Sequence, residues 1–457
     1  MRTNLDNLQG KKVLIVGLAR TGIAVCQTLL DMGAIVSVHD AKAESTFDKN
    51  LITFLKGRNV ECYFEHIPED LSQFDMLILS PGVTPELGFI QDAAAKGVEI
   101  TGEIELAYRV TRGHIVGITG TNGKTTTTTL VGEIFKASGR KTHVVGNIGT
   151  AAIADAAKAD EQDWLITEVS SFQLETTKYF KPQISAILNL TPDHLNRHHT
   201  MEAYGAAKAK IFENQTEANY LIINYDDKNC YALCENCKAR IVPFSRKEEL
   251  PFGAFVRDGK VYIKDDEKEV EICKLDDVKI IGDHNVENIL AASAIAYFAG
   301  IEPDVIGRAI IAFAGVEHRI EYVGMVDDIM YYNDSKGTNV DAAVTAIKAI
   351  KENIILIAGG DGKAQDFDPF IKSFNGAVKK MVLLGRDAQI IADAAEKNGF
   401  TDYVFCKDMP ECVRKAAELA EPGDTVLLSP ACASWDMYDN FEQRGDHFKE
   451  CVEALRR

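Results

Sequence analysis

Residues 117–133, GITGTNGKTTTTTLVGE, decide how the rest of the chain is read. The stretch has the form of a phosphate-binding loop. An apolar run leads into a glycine-rich turn, and Lys124 and Thr125 then open a helix-forming segment. The general pattern is glycine, four residues, then Gly-Lys-Ser/Thr. Counted back from Gly123, the first glycine belongs at position 118, where Ile118 stands; the glycine sits at 120 and the loop is shorter. The physical requirements survive the shortening. Gly120 and Gly123 free the backbone to curl and point N–H groups inward, and a helix N-terminus follows to favour phosphate. Lys124 can reach the β- and γ-phosphates, and the Thr125 hydroxyl can bind Mg²⁺. A plain glycine turn between strand and helix can be spelled the same way. The strand before and the helix after favour nucleotide binding.

Outward from the loop, strand and helix signals alternate. KKVLIVG, AIVSVHD, FDMLILSPG and VEITG read as strands before it, with a helical TGIAVCQTLLDMG ending on Gly33. After it come DWLITEVSS, ISAILNLTPD and NYLIINYDD, the Ala-rich helical EAYGAAKAKIFENQ, and hairpins over 251–281 with a turn at Asp258-Gly259. DHNVENILAASAIAYFAG predicts a helix stopped by Gly300. From near Val316, IMYYNDSK, NIILIAGGDGK, KMVLLG and DTVLLSPACASWD are strand-like, each ending in a polar or glycine-rich turn. This rhythm predicts parallel sheets with helices on their faces, and ligands at the carboxyl ends of the strands. Three α/β domains are expected.

Composition sets the class. Of 457 residues, 46% are hydrophobic and 26% charged, ordinary for a globular chain that needs no staples. The net charge is −18 and there is no long basic run. That argues against nucleic-acid or membrane-surface binding, which needs a positive field. No stretch reaches the roughly 18 apolar residues of a membrane span, and the run Val13–Val16 is too short for a signal peptide. A cytoplasmic protein is expected. Ten cysteines are scattered along the chain, unlike a disulfide scaffold. Cys230, Cys234 and Cys237 recur at i, i+4 and i+7. That spacing reads as one buried helical face, or as part of a zinc site that lacks a fourth ligand.

The loop's class narrows further. An Asn-Lys-x-Asp base reader, expected of a GTPase, does not occur. WLITEVSS ends an apolar run in Glu168, which can hold Mg²⁺. The motifs GTNGKT, TEVSSFQLE, LNLTPDHLNRH, AAKAKIF, GDHNVENILAA, HRIEYV, NDSKGTN, GGDGK and LLSPACASWDMYDNFEQRGDHF occur in that order. The chain resembles the Mur ligases of peptidoglycan precursor synthesis over essentially its whole length. The resemblance implies a Rossmann-like uridine-nucleotide domain over 1–102. A central P-loop mononucleotide-binding α/β domain, the ATPase, would cover 103–315, and a Rossmann-like amino-acid domain 316–457. It implies that ATP phosphorylates a carboxylate of UDP-N-acetylmuramoyl-L-alanine and that D-glutamate attacks the acyl phosphate, in a protein expected to be a monomer.

Residue roles carry over from the matched motifs. Gly120, Thr121, Asn122, Gly123, Lys124, Thr125 and Thr126 would hold the ATP phosphates. Thr125 and Glu168 would hold one Mg²⁺, and His194 a second. Lys208, the first lysine of GAAKAKIF, would carry a carbamate, an anion able to ligate Mg²⁺; partial burial would favour the neutral amine that adds CO₂. Asn285, Asn288 and Asp334 match adenine and ribose positions. Arg319 would reach the phosphates from the C-terminal domain, with Lys336 nearby, the rigid fork of arginine suiting phosphate oxygens. Thr338, Lys363, Ser434 and Phe441 would hold D-glutamate; core packing reads equally well for Phe441. GLARTG, Gly17–Gly22, followed by Asp40, mimics a dinucleotide fingerprint. Ala19 in place of the middle glycine would crowd a pyrophosphate. The resemblance assigns this pocket to the uridine diphosphate, with Arg20, Thr21, Asp40, Ser80 and Asn147, and gives Ser170 and Gln173 to the muramoyl-alanine arm.

Other readings fit these residues less well. Folylpolyglutamate synthase is not expected to have the N-terminal domain. The ligase that adds the third residue typically shows DNPR, absent here. A zinc-bearing Mur-like amidotransferase subunit should lack SPACAS. A nucleotide sensor with a dead site should have lost ligands that are all present.

Overall fold

The computed structural model describes residues 7–363 and 365–456. Its strands form three sheets. The first contains β1 (Lys12–Val16), β2 (Ile35–Asp40), β3 (Glu61–Phe64), β4 (Met76–Leu79) and β5 (Glu99–Gly102). Their order is β3-β2-β1-β4-β5, all parallel. The second contains β6 (His114–Thr119), β7 (Thr142–Gly146), β8 (Trp164–Glu168), β9 (Ile184–Ile187), β10 (Tyr220–Asn224), β11 (Arg240–Ser245), β12 (Gly253–Arg257), β13 (Lys260–Lys264) and β14 (Glu269–Lys274). Its order is β14-β13-β12-β11-β10-β9-β6-β8-β7. The pairings are parallel from β7 to β12 and antiparallel through the β12-β13-β14 meander. The third contains β15 (Glu321–Val326), β16 (Ile329–Asn333), β17 (Ile354–Gly359), β18 (Val378–Leu384), β19 (Tyr403–Phe405) and β20 (Thr425–Leu428), ordered β15-β16-β20-β17-β18-β19. Only β15 runs antiparallel to its neighbour there.

The unbroken apolar runs follow from burial on both faces of a parallel sheet. In β1, Val13 and Ile15 join one hydrophobic cluster and Leu14 and Val16 the other, as the two-residue period of a strand requires. In β17, Ile354 and Leu356 face one core and Ile355 and Ile357 the other. The cluster holding Val13 also holds Ile115, Leu165 and Ile223. The first two sheets therefore belong to one compact unit, the chain through Asp277 together with Val286–Ile311. The third sheet belongs to a second unit, Val278–Asn285 and Ala312–Arg457.

The expected α/β architecture of three parallel-rich sheets is present. The Asp258-Gly259 turn forms with both residues at positive φ (48° and 70°), joining β12 to β13, the geometry a two-residue hairpin needs. Gly300 follows the helix Asp283–Phe298 at φ 80°. The cysteine spacing needs correction as a single helical face. The helix Lys228–Tyr231 gives way to a tight turn over Ala232–Asn236, and Cys237 lies beyond it in extended backbone. Cys230 and Cys234 are buried, and burial pushes both thiols up. The parallel registers place Ile118 beside Glu168 and Thr119 beside Ile187, so the carboxyl ends of β6, β8 and β9 lie together.

Candidate active site

The glycine-rich loop leaves β6 after Thr119 and enters the helix Lys124–Ala137. Gly123 caps that helix at φ 81°, a conformation that costs other residues about 1–2 kcal/mol. A Cβ there would also run into Asn288 Oδ1. The loop is braced from the end of β9. The Thr121 N–H donates to the Asn189 carbonyl (3.1 Å) and the Asn122 N–H to Asn189 Oδ1 (2.8 Å). Asn189 Nδ2 returns a bond to the Asn122 carbonyl (3.1 Å), and Thr121 Oγ1 donates to the Thr191 carbonyl (3.1 Å). Nothing in the sequence marks Asn189 and Thr191 for this role, although LNLTPD contains both. Gly123→Ala is expected to weaken ATP binding about five- to thirtyfold, the equivalent of that strain. An ATP dissociation constant within about twofold of wild type by calorimetry would contradict this account of the loop.

Two lysine nitrogens converge on one carbonyl. Lys124 Nζ donates to the carbonyls of Gly120 (2.9 Å) and Thr121 (2.7 Å), and Lys208 Nζ donates to the same Gly120 oxygen at 2.9 Å. Lys208 comes from the helix Met201–Ala209, whose first turn Thr200 caps through the Ala203 N–H. It is 1% exposed, and its ammonium position lies 4.3 Å from the Tyr204 ring centre. Tyr204 in turn reaches Thr121 Oγ1 at 3.3 Å. Burial drives the Lys208 pKa well below that of an ordinary lysine, and the charge of Lys124 pushes the same way. Both effects move the balance from the ammonium towards the neutral amine.

Glu168 ends β8 and is 1% exposed. Its Oε1 accepts from Asn147 Nδ2 at 2.7 Å, while its Oε2 is buried with no hydrogen-bond partner among the described residues. A buried carboxylate oxygen left so is costly unless a cation meets it. The hard oxygen donors Glu168 and Thr125 suit Mg²⁺, so the residues present fit that ion. His194 begins the short helix Leu195–His198 in a left-handed conformation, φ 53°. Its ring lies 4.8 Å from that of Phe172, and its Nε2 lies 3.3 Å from Asp193 Oδ2.

On the first sheet, several expected uridine residues shape the turn after β1. Asp40 Oδ2 accepts from the Leu18 N–H (2.7 Å), and Ser80 Oγ donates to the Gly17 carbonyl (2.7 Å). Arg20 and Thr21 open the next helix, Arg20–Asp31. Arg20 Nη2 reaches the Asn147 carbonyl at 3.4 Å, so Asn147 joins this turn to Glu168. Ser170 and Gln173 form a reciprocal capping box on the helix Ser171–Glu175. Glu103, just after β5, has its Oε1 on the Ile153 N–H (2.7 Å), and burial pushes it up to about 7.

The second unit has its own polar cluster. Arg319 stands between two left-handed residues, His318 (φ 62°) and Ile320 (φ 45°). Buried His318 accepts at Nδ1 from Asn333 Nδ2 (3.0 Å). Asp334 accepts from Ser429 Oγ (2.7 Å) and the Ile320 N–H (3.3 Å). Burial raises its pKa to about 7 against the pull of Arg319. Arg444, which the sequence does not mark out, donates to Ser335 Oγ (2.9 Å), the Ser335 carbonyl (2.8 Å) and the Cys432 carbonyl (3.1 Å). Ser335 Oγ donates to the Phe441 carbonyl (2.8 Å). Arg444 thus holds together the segments that bear Lys336, Thr338, Ser434 and Phe441. Phe441 is half-buried, with Lys336 Nζ 5.6 Å from its ring centre. Lys363 Nζ lies 4.7 Å from the Trp435 ring centre. Asn285 Nδ2 donates to the Ile281 carbonyl (2.7 Å).

Known proteins match all three parts of the chain. Residues 11–102 match the family described as Mur ligase MurD-like, N-terminal domain. Residues 118–296 match the Mur ligase middle domain, and residues 318–432 the Mur ligase, glutamate ligase domain. A UDP-N-acetylmuramoylalanine--D-glutamate ligase of Thermoanaerobacter sp. (strain X514) is 48% identical over 98% of this chain and 100% of its own length. Another, of Alkaliphilus oremlandii, is 49% identical over 99% of this chain and 100% of its own. The solved UDP-N-acetylmuramate-alanine ligase MurC of Thermotoga maritima aligns with a TM-score of 0.59 at 20% identity, covering 97% of this chain and 99% of that one. At that identity the likeness concerns the fold.

Proposed function

The chain belongs to the Mur ligase family, and on that premise we propose how its residues carry out the ATP-dependent addition of D-glutamate to UDP-N-acetylmuramoyl-L-alanine. The product is a peptidoglycan precursor, with ADP and phosphate released. The observation that carries the mechanism is the convergence of Lys124 and Lys208 on the Gly120 carbonyl at the carboxyl ends of β6, β8 and β9. Several anions must meet there, and the site answers with cations and amides. The N–H groups of the loop from Gly120 to Thr126 and the ammonium of Lys124 hold the ATP phosphates. The alanyl carboxylate attacks the γ-phosphorus and ADP leaves. The D-glutamate amine then adds to the carbonyl carbon of the acyl phosphate, its nitrogen gives up a proton, and the tetrahedral intermediate breaks its C–O bond to expel phosphate and leave the amide.

Thr125 and Glu168 would hold one Mg²⁺ and His194, with the carbamate of Lys208, a second; bound there, the ions neutralise charge on the transferring phosphoryl group. Arg20, Thr21, Asp40, Ser80 and Asn147 hold the uridine diphosphate, and Ser170 and Gln173 orient the muramoyl-alanine arm. Asn285, Asn288 and Asp334 serve adenosine, while Arg319 and Lys336 supply positive charge. Thr338, Lys363, Ser434 and Phe441 receive D-glutamate, with the Lys363 ammonium on a carboxylate. Among the described residues no helix is long and apolar enough to cross a membrane, and the reading places a monomer in the cytoplasm.

Amino-acid dependence of ADP release tests this function. Release is expected only with the uridine nucleotide and D-glutamate together, at least about a hundredfold faster than with L-glutamate or L-lysine. ATP binding without any release would instead indicate a sensor.

A further inference from the structure

We infer that Arg197 is a positioning residue that couples the uridine-nucleotide turn of the first sheet to His194, so that each site feels the occupancy of the other. The inference rests on the reading of those two sites given above. Arg197 lies three residues after His194, and its N–H donates to the His194 carbonyl at 3.0 Å. Its guanidinium leaves the helix in two directions. Nη1 donates to the Pro81 carbonyl (2.8 Å) and Nη2 to the Val83 carbonyl (3.2 Å). Nε and Nη2 donate to the Glu175 carboxylate at 3.2 and 2.5 Å. The same cation lies 4.3 Å from the ring centre of Phe172, the ring that packs on His194.

Each end of this clasp meets a part of the expected site. Pro81 and Val83 follow β4 in the turn whose Ser80 holds the Gly17 carbonyl, and the Val83 N–H donates to Ser80 O at 2.9 Å. Glu175 closes the helix capped by Ser170 and Gln173. Between these ends, the four-residue helix Leu195–His198 has no stability of its own. It is flanked by two left-handed residues, His194 (φ 53°) and His199 (φ 66°). Such conformations persist only where the surroundings fix them, and the Arg197 side chain, 15% exposed, is the part of the helix tied to the nucleotide turn. A displacement of that turn is therefore passed to the backbone that aims His194. Lysine cannot reproduce the link, because a single ammonium does not span two carbonyls and a carboxylate in one plane.

Calorimetry without ATP tests the coupling, with UDP-N-acetylmuramoyl-L-alanine as titrant in the presence and absence of Mg²⁺. In the wild-type chain Mg²⁺ is expected to tighten binding about fivefold or more. Arg197→Lys is expected to bring that ratio to within about twofold of one, with ATP affinity and thermal midpoint unchanged. A wild-type ratio near one, or an Arg197→Lys ratio equal to the wild type's, overturns the inference. If Arg197→Lys unfolds or loses ATP binding, Glu175→Gln replaces it in the same titration: a diminished ratio supports the coupling and an unchanged ratio overturns it. The functional reading fails separately, through a wild-type chain that releases no ADP with D-glutamate.

Discussion

Lys208→Ala is expected to lower turnover about a hundredfold or more, the effect of losing one preorganised charge at a phosphoryl-transfer site. Small carboxylates such as formate or acetate should restore part of the loss. The expectation starts from the surroundings of the amine. It is buried, lies beside Tyr204, and shares the Gly120 carbonyl with Lys124. A neutral amine there can add CO₂: a bond forms from Nζ to carbon, Nζ loses a proton, and an anionic carbamate results. Lys124 would offset the new charge. Lys210 is the control, since it is only half-buried and donates instead to the Glu175 carbonyl at 2.7 Å. With ¹³C-labelled bicarbonate, a carbamate resonance is expected in wild type and Lys210→Ala and not in Lys208→Ala. Unchanged turnover in Lys208→Ala would sink the idea. The pH dependence has a defined sign. The folded pKa lies below that of the unfolded chain, so between the two the unfolded state binds more protons. The contribution of this group to stability falls as pH drops from the unfolded value towards the folded one, and the reactive amine is lost below the folded value.

Arg319→Ala should cut turnover about a hundredfold or more while leaving the dissociation constant of the uridine nucleotide within about twofold. His318 and Ile320 hold the backbone around Arg319 left-handed, and buried Asn333 fixes His318. The arginine guanidinium is a planar fork suited to phosphate oxygens. The residues proposed for the uridine nucleotide all belong to the other unit, so a loss confined to turnover is the expected signature of charge supplied to the transferring phosphoryl group. Arg319→Lys should recover only part of the rate. Equal losses in turnover and in uridine-nucleotide binding would contradict the role.

Much of the fold was legible because burial on both faces of a parallel sheet writes itself as unbroken apolar runs. β1, β6, β8, β10, β17 and β20 are of this kind. The strands that the apolar pattern does not mark are short, at a sheet margin or interrupted: β3 reads ECYF, β7 reads THVVG at the margin of its sheet, β11 carries Pro243, and β19 spans three residues. β15, antiparallel at an edge, has mixed exposure. The loop and its partner motifs were legible as spelling. Asn189, Arg197 and Arg444 lay inside quoted motifs, but nothing local marks which polar residue braces a loop and which faces solvent.

The alternation of strand and helix, the glycine-rich loop with Lys124 and the membership of the chain in its family are written in local sequence, because periodicity and motif order are properties of neighbouring residues. The folded chain alone reveals that Lys208 is buried against a carbonyl 88 residues away, that Glu168 has a carboxylate oxygen with no hydrogen-bond partner among the described residues, and that Arg197 reaches the turn after β4. The reason is physical. Desolvation and hydrogen-bond satisfaction are set by groups brought together from distant parts of the chain, and no window of sequence contains them.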